Sequence, residues 1–156
     1  MKLKEEKGSI TLFVVIAMFA FVLFSYNSFI KSQNRVDEAF STMDVYLKKR
    51  WDLIPNLVEI VKGYTKFESS TLEEIISLRN ESYDSMKNEP KLVSNEKISN
   101  QVSRIMALAE NYPELKADES FKSLSRQLVT VEDEISNARK YYNAVIRIYN
   151  TKIYMF

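Results

Sequence analysis

The stretch Asn34-Arg-Val-Asp-Glu-Ala-Phe40 and its continuation Met43-Asp-Val-Tyr-Leu-Lys-Lys-Arg-Trp-Asp-Leu-Ile-Pro-Asn-Leu-Val-Glu-Ile-Val-Lys-Gly-Tyr64 decide the fold. Apolar residues fall at 36, 40, 43, 47, 54, 57, 61 and 64, in alternating steps of four and three. That spacing is the seam of a helix packed in a bundle. The register is interrupted only at position 50, where it calls for an apolar side chain and Arg50 stands instead. Pro55 lies inside the same run. The seam keeps one register across it, which predicts a kink in one helix (about Phe29 to Lys66). The alternative is a new helix capped by Asp52 with Pro55 in its first turn.

Working towards the N-terminus, Gly8 to Ile30 are 23 residues without a charge. As a helix they span about 35 Å, enough for a bilayer. A cleaved signal peptide is the alternative, but Phe24-Ser-Tyr-Asn-Ser28 has no good small-x-small cleavage site, so an uncleaved anchor is expected. Lysines precede the segment, and Lys31, Arg35 and Lys48-Lys49-Arg50 follow it, which leaves its orientation open. The expected organisation is a short tail at 1–7, a transmembrane anchor at 8–28 and a helical bundle at 29–156.

Towards the C-terminus, Thr71-x-x-Glu74 is a capping box that opens a helix with Leu72, Ile76, Tyr83 and Met86 on one face and Arg79 in the same row. Asn88-Glu-Pro90 is expected to end it. Ser94 is expected to cap the next, with Ile98, Val102, Ile105, Ala109 and Tyr112 as its stripe and Pro113 as its stop. Asp118 caps the last helix. There Phe121, Leu124, Leu128, Val131, Ile135, Ala138, Tyr142, Val145 and Tyr149 keep strict three-four spacing over four heptads, a coiled-coil-like signal. The fold class is therefore all-α, an up-down antiparallel four-helix bundle with long first and last helices, preceded by a transmembrane helix.

The first and last helices would be about 55 Å long and the middle pair about 27 Å. The middle pair would leave a two-helix stalk uncovered near the membrane. Val36, Phe40, Met43, Tyr142 and Val145 are the candidate partner surface there, for another protein's helix or a second copy. The last helix would also bring Tyr149, Tyr154, Met155 and Phe156 to headgroup level, a zone that suits aromatic side chains.

At this point the residues resemble a family. Tyr26-Asn-Ser, Asn34-Arg-Val-Asp-Glu-Ala, Asp44-Val-x-Leu-Lys-Lys-Arg50, Asp52-Leu-Ile-Pro-Asn-Leu57 and Val61-Lys-Gly-Tyr64 look like the LemA family. So do Tyr112-Pro-x-Leu-Lys-Ala117, Ala138-Arg-x-Tyr-Tyr-Asn143 and Tyr149-Asn150. The resemblance covers residues 26–151 and implies a bacterial, single-pass membrane protein with a helical bundle and no agreed enzymatic activity. The family pattern continues past Tyr-Asn into a phenylalanine-proline-serine-asparagine segment; here Lys152-Ile-Tyr-Met-Phe156 follows.

Composition limits the chemistry. Histidine and cysteine are both absent, which removes Ser-His-Asp catalysis, thiolate nucleophiles, disulfides and His-bearing metal sites. Two glycines allow neither a P-loop nor a dinucleotide fingerprint. With 22 basic and 21 acidic residues no linear basic face suggests nucleic acid. Glu132-Asp133-Glu134 point in three directions on a helix, which predicts a solvated face and not a metal site. No enzyme activity, cofactor or metal is expected.

The candidate buried polar or ion-pair positions are Asp44, Arg50, Asp52, Arg79 and Asn143. Arg50 and Arg79 either pair with an acid on a neighbouring helix or bind an anionic ligand. Trp51, Tyr64, Phe67, Tyr83 and Tyr112 read as core aromatics before they read as a pocket. Two functions follow: a membrane-anchored scaffold or adaptor working through helix–helix contacts, or a ligand-sensing bundle that signals through the stalk.

Overall fold

The computed structural model describes residues 2–64, 73, 76–77 and 83–155, with side chains from residue 12 onward. Everything regular in it is helical: α1 (Lys2–Lys62), a 3-10 turn (Tyr83–Ser85), α2 (Asn88–Ala109), α3 (Pro113–Ala117) and α4 (Glu119–Tyr154). No strand occurs among the described residues. The Thr71 capping box, most of the helix it would open, and Arg79 and Phe67 lie outside them.

α1 is continuous over 61 residues with Pro55 inside it, so Asp52 does not start a new helix. Pro55 has no N–H to donate to the preceding turn, and a proline inside a helix costs about 3 kcal/mol. Trp51, Ile54, Leu57, Val58 and Val61 are buried on both sides of it. Each such side chain contributes about 1.5–3 kcal/mol on burial, enough to hold the helix through the lost bond. No boundary separates the uncharged segment from the seam that follows; both belong to one helix.

Two expected helix ends move. α2 begins at Asn88, with Lys87 as N-cap and no side-chain cap bond. Pro90 therefore sits in its first turn and does not end the helix before it. The first turn's N–H groups have no partner inside the helix, so a residue without one loses little there. Ser94 is interior. Pro113 likewise opens the short α3. Asp118 does cap α4: its Oδ1 accepts the Phe121 N–H at 2.8 Å.

The chain forms two compact units, Met1–Phe40 with Tyr141–Phe156, and Ser41–Lys140. In the second, the predicted seams are buried on α1 (Met43, Leu47, Ile54, Leu57, Val61), on α2 (Ile98, Ile105, Ala109) and on α4 (Phe121, Leu124, Leu128, Val131, Ile135, Ala138), with Arg50, Trp51, Val58, Asn95 and Gln101 buried beside them. In the first unit, α1 and α4 meet through Phe29 against Tyr149 (ring centroids 5.3 Å) and Phe40 against Tyr142 (5.6 Å), both edge-on. α1 is also long and apolar enough, by length and composition, to cross a membrane.

Candidate functional site

Arg50 is the natural starting point, because an arginine at a seam position must either be hydrated or find partners. It is 1% exposed. Its guanidinium finds partners on two other helices. Nη1 donates to the carboxylate of Glu132 on α4. On α2, Nη2 donates to the Asn95 main-chain oxygen at 2.6 Å and to its Oδ1 at 3.2 Å, and Nε donates to the same Oδ1 at 3.3 Å. Asn95 is itself fully buried, and its Nδ2 donates to the Lys91 carbonyl at 3.1 Å. That last bond fixes the amide so that its oxygen faces the guanidinium.

The electrostatics are one-sided. Burial pulls the Arg50 pKa down from its ordinary value, and the Glu132 carboxylate pulls it back up. Arginine starts so high that it keeps its charge at neutral pH. The Glu132 side chain is 52% exposed, so only one member of the pair has lost its water. This lowers the desolvation cost that makes buried pairs poor stabilisers, while leaving the pair able to hold three helices in one register.

A second polar group lies six residues earlier on α1, at Asp44. Asp44 Oδ2 accepts from Lys91 Nζ at 2.8 Å, and its Oδ1 accepts from the Tyr83 hydroxyl at 2.6 Å. The Tyr83 ring packs on Trp51 with centroids 5.3 Å apart and receives Lys91 Nζ at 4.6 Å from its centre. Burial first, and then the hydrogen bond to Asp44, push the Tyr83 phenol far above its ordinary pKa. Lys91 links the two groups, since its carbonyl holds Asn95 and its ammonium holds Asp44.

The predicted residues thus separate. Arg50 and Asp44 belong to this network. Asp52 is exposed and meets Lys48 at 3.8 Å. Asn143 is exposed, one position off the seam that runs through Tyr142 and Val145, and so is not a buried register asparagine. The buried asparagine is Asn95, which the sequence reading missed by starting α2 too late. It lies three residues before Ile98, on the stripe extended backwards. Glu132 and Glu134 go to different partners, Arg50 and Lys49, as their spacing on a helix requires.

The candidate partner surface needs correction. Phe40, Met43 and Val145 are buried, and Val36 and Tyr142 half-buried. The seam read as uncovered is covered by the chain itself, because the two long helices interlock side chains there. Among the described residues no group of three or more possible ligands could hold a metal ion. An open groove of ≈ 620 Å³ runs beside Asn56, Glu59, Ile60, Glu119, Ser120 and Leu124, without convergent charges of opposite sign.

Comparison with known proteins now bears on this arrangement. The LemA family matches residues 39–156. The chain belongs to the LemA family. Every member of the network, from Asp44 to Glu132, falls inside the LemA region. Among curated relatives it is similar to protein LemA of Metamycoplasma hominis, 29% identical over 160 residues, covering 97% of this chain and 71% of that protein. It is also similar to magnetosome protein MamQ 2 of Paramagnetospirillum magneticum, 25% identical over 170 residues, covering 92% of this chain and 62% of the relative. For magnetosome protein MamQ of Magnetospirillum gryphiswaldense the identity is 23%, with 93% and 63% covered. The LemA chain described here therefore spans less than two thirds of the MamQ relatives' length.

Proposed function

We propose that this LemA-family protein is a single-pass protein of the bacterial cell membrane whose helices beyond the anchor form an up-down four-helix bundle, and that it works as a scaffold or adaptor through helix–helix contacts. One observation carries the anchor. Eleven large apolar side chains of α1 between Leu12 and Phe24 are each 47–79% exposed. A face of that size is stable only in a non-aqueous setting. The scaffold role is supported by the way the buried charge is used up: every nitrogen of the Arg50 guanidinium already donates within the chain. A ligand-sensing bundle is the second reading, and those occupied donors count against it. The lack of histidine and cysteine supports a role without catalysis or cofactor.

The contact surface lies away from the covered seam. Tyr141 and Ile148 are exposed one heptad apart on α4, where a partner helix or a second copy could pack. A photoreactive residue at Ile148 in intact cells is expected to capture a membrane protein or a second copy, while one at buried Phe40 captures neither. Equal capture at the two positions, or none at Ile148, rejects the adaptor reading. Release of the chain from membranes by an alkaline wash rejects the anchor.

A further inference from the structure

The acids of this chain are unevenly placed: none occurs between Glu6 and Asp37, and none from Ile135 to Phe156. The unit formed by residues 1–40 and 141–156 therefore carries Lys31, Arg35, Arg147 and Lys152 against few acids; Asp37 and Glu38, two and three residues past Arg35 on the side away from the anchor, are its first beyond the anchor. The antiparallel contacts bring the four cations to one level. Lys152 Nζ donates to Ser32 Oγ at 2.6 Å and to Ser28 Oγ at 3.1 Å, and Tyr149 meets Phe29. Arg147 lies between that contact and the Phe40–Tyr142 contact, so it falls within the turns that carry Lys31 and Arg35. Lys31, Arg35 and Arg147 are exposed, and Lys152 is half-buried against the Ser28 and Ser32 hydroxyls and the Ser28 carbonyl, all of them neutral. At 1.5 Å per residue the set occupies about 12 Å of the helix axis.

The side chains on the anchor side of this level are exposed and apolar or aromatic: Phe24, Tyr26, Tyr154 and Met155. A belt of that kind with a ring of cations just beyond it matches the order of a bilayer surface, acyl chains first and phosphates next. We propose that Lys31, Arg35, Arg147 and Lys152 form a collar that binds the headgroups of anionic phospholipids where α1 leaves the membrane. The collar rests on the anchor reading given above. An acidic protein would need the same charges but not the apolar belt at their edge, and this is why the lipid is the occupant.

The test uses the full chain reconstituted into phosphatidylcholine bilayers with traces of spin-labelled phosphatidylglycerol or spin-labelled phosphatidylcholine. The motionally restricted fraction of each label measures its association with the protein. The wild-type chain is expected to prefer phosphatidylglycerol, with the preference falling as salt is raised. Replacing one cation, as in Arg35→Gln, is expected to reduce it by up to about fivefold. The triple variant Lys31→Gln, Arg35→Gln, Arg147→Gln leaves the Lys152–serine contacts in place and is expected to lose nearly all of the preference. Lys97→Gln with Lys122→Gln, exposed in the other unit, is expected to lose none.

Equal association of both labels with the wild-type chain overturns the collar while leaving the anchor standing. A preference kept by the triple variant overturns it as well, since the three exposed cations then contribute nothing to it. A chain that fails to remain with the bilayer at all overturns the anchor, and the collar with it.

Discussion

Arg50 Nη2 donates to the main-chain oxygen of Asn95 at 2.6 Å, across two helices and with both residues shut off from water. The pair is coupled in both directions: the guanidinium satisfies a buried carbonyl and a buried amide oxygen, which in turn stand in for the water it has lost. Asn95→Leu is expected to destabilise the chain by about 3 kcal/mol, the cost of a buried charge with a partner removed. Arg50→Met with Asn95→Leu should recover part of that loss, because the unpaired charge goes as well. Urea unfolding of both singles and the double gives the coupling, expected at about 1–3 kcal/mol. Additive losses would show that the two do not act together.

Tyr83→Phe keeps the ring against Trp51 and removes only the hydroxyl that Asp44 accepts from. The expected cost is about 1–2 kcal/mol. A cost near zero would mean that water replaces the hydroxyl without loss.

The same phenol sets an alkaline limit. Its folded pKa is raised above the ordinary 10.0, so the stability it contributes is complete below that value and is lost as pH rises through the folded pKa. Wild-type stability is expected to fall above about pH 10 by more than that of Tyr83→Phe. Parallel pH profiles for the two chains would contradict the geometry.

Asp118 sets an acid limit of the opposite sign. Its carboxyl is held below the ordinary 3.8, first by the Phe121 N–H and then by the Tyr64 hydroxyl, with partial burial acting against both. The capping contribution is complete above that value and is lost as pH falls through the folded pKa. Asp118→Ala is expected to lower thermal stability at neutral pH, and Asp118→Asn to lower it less, since asparagine is also a good cap. Below the folded pKa the gap between wild type and Asp118→Asn should close. A gap that persists would place the Asp118 effect elsewhere.

Phe40→Ala is expected to cost about 3 kcal/mol through the cavity left against Tyr142. Circular dichroism melts of the full chain in detergent measure it. If the substitution instead leaves the chain as stable as before, the ring contact is not part of the folded interior.

Periodicity alone located most of the interior. The α4 stripe from Phe121 to Ala138 is buried where the three-four spacing put it, because a long helix with one apolar stripe has few other ways to pack. Arg50 was legible for the same reason: a charge in a seam announces itself. Its partner was not, since Glu132, Asp133 and Glu134 differ only in direction, and direction follows from the register between helices. Asn95 was hidden by Pro90, a residue that reads equally well as the end of one helix or the first turn of the next. Phe40 and Val145 were legible as apolar but not as covered, because sequence spacing shows which face is greasy and not what already lies on it.

Trp51 is the sole tryptophan of the chain and sits in ring contact with Tyr83, the ring that lies under the Lys91 ammonium. Its emission is therefore a built-in optical gauge of one junction, and the unit holding Phe29 and Tyr149 is invisible to it. Far-ultraviolet ellipticity, by contrast, counts every helical residue alike. Whether the two signals fade together on heating distinguishes a protein that melts as one cooperative body from one whose two units let go in turn.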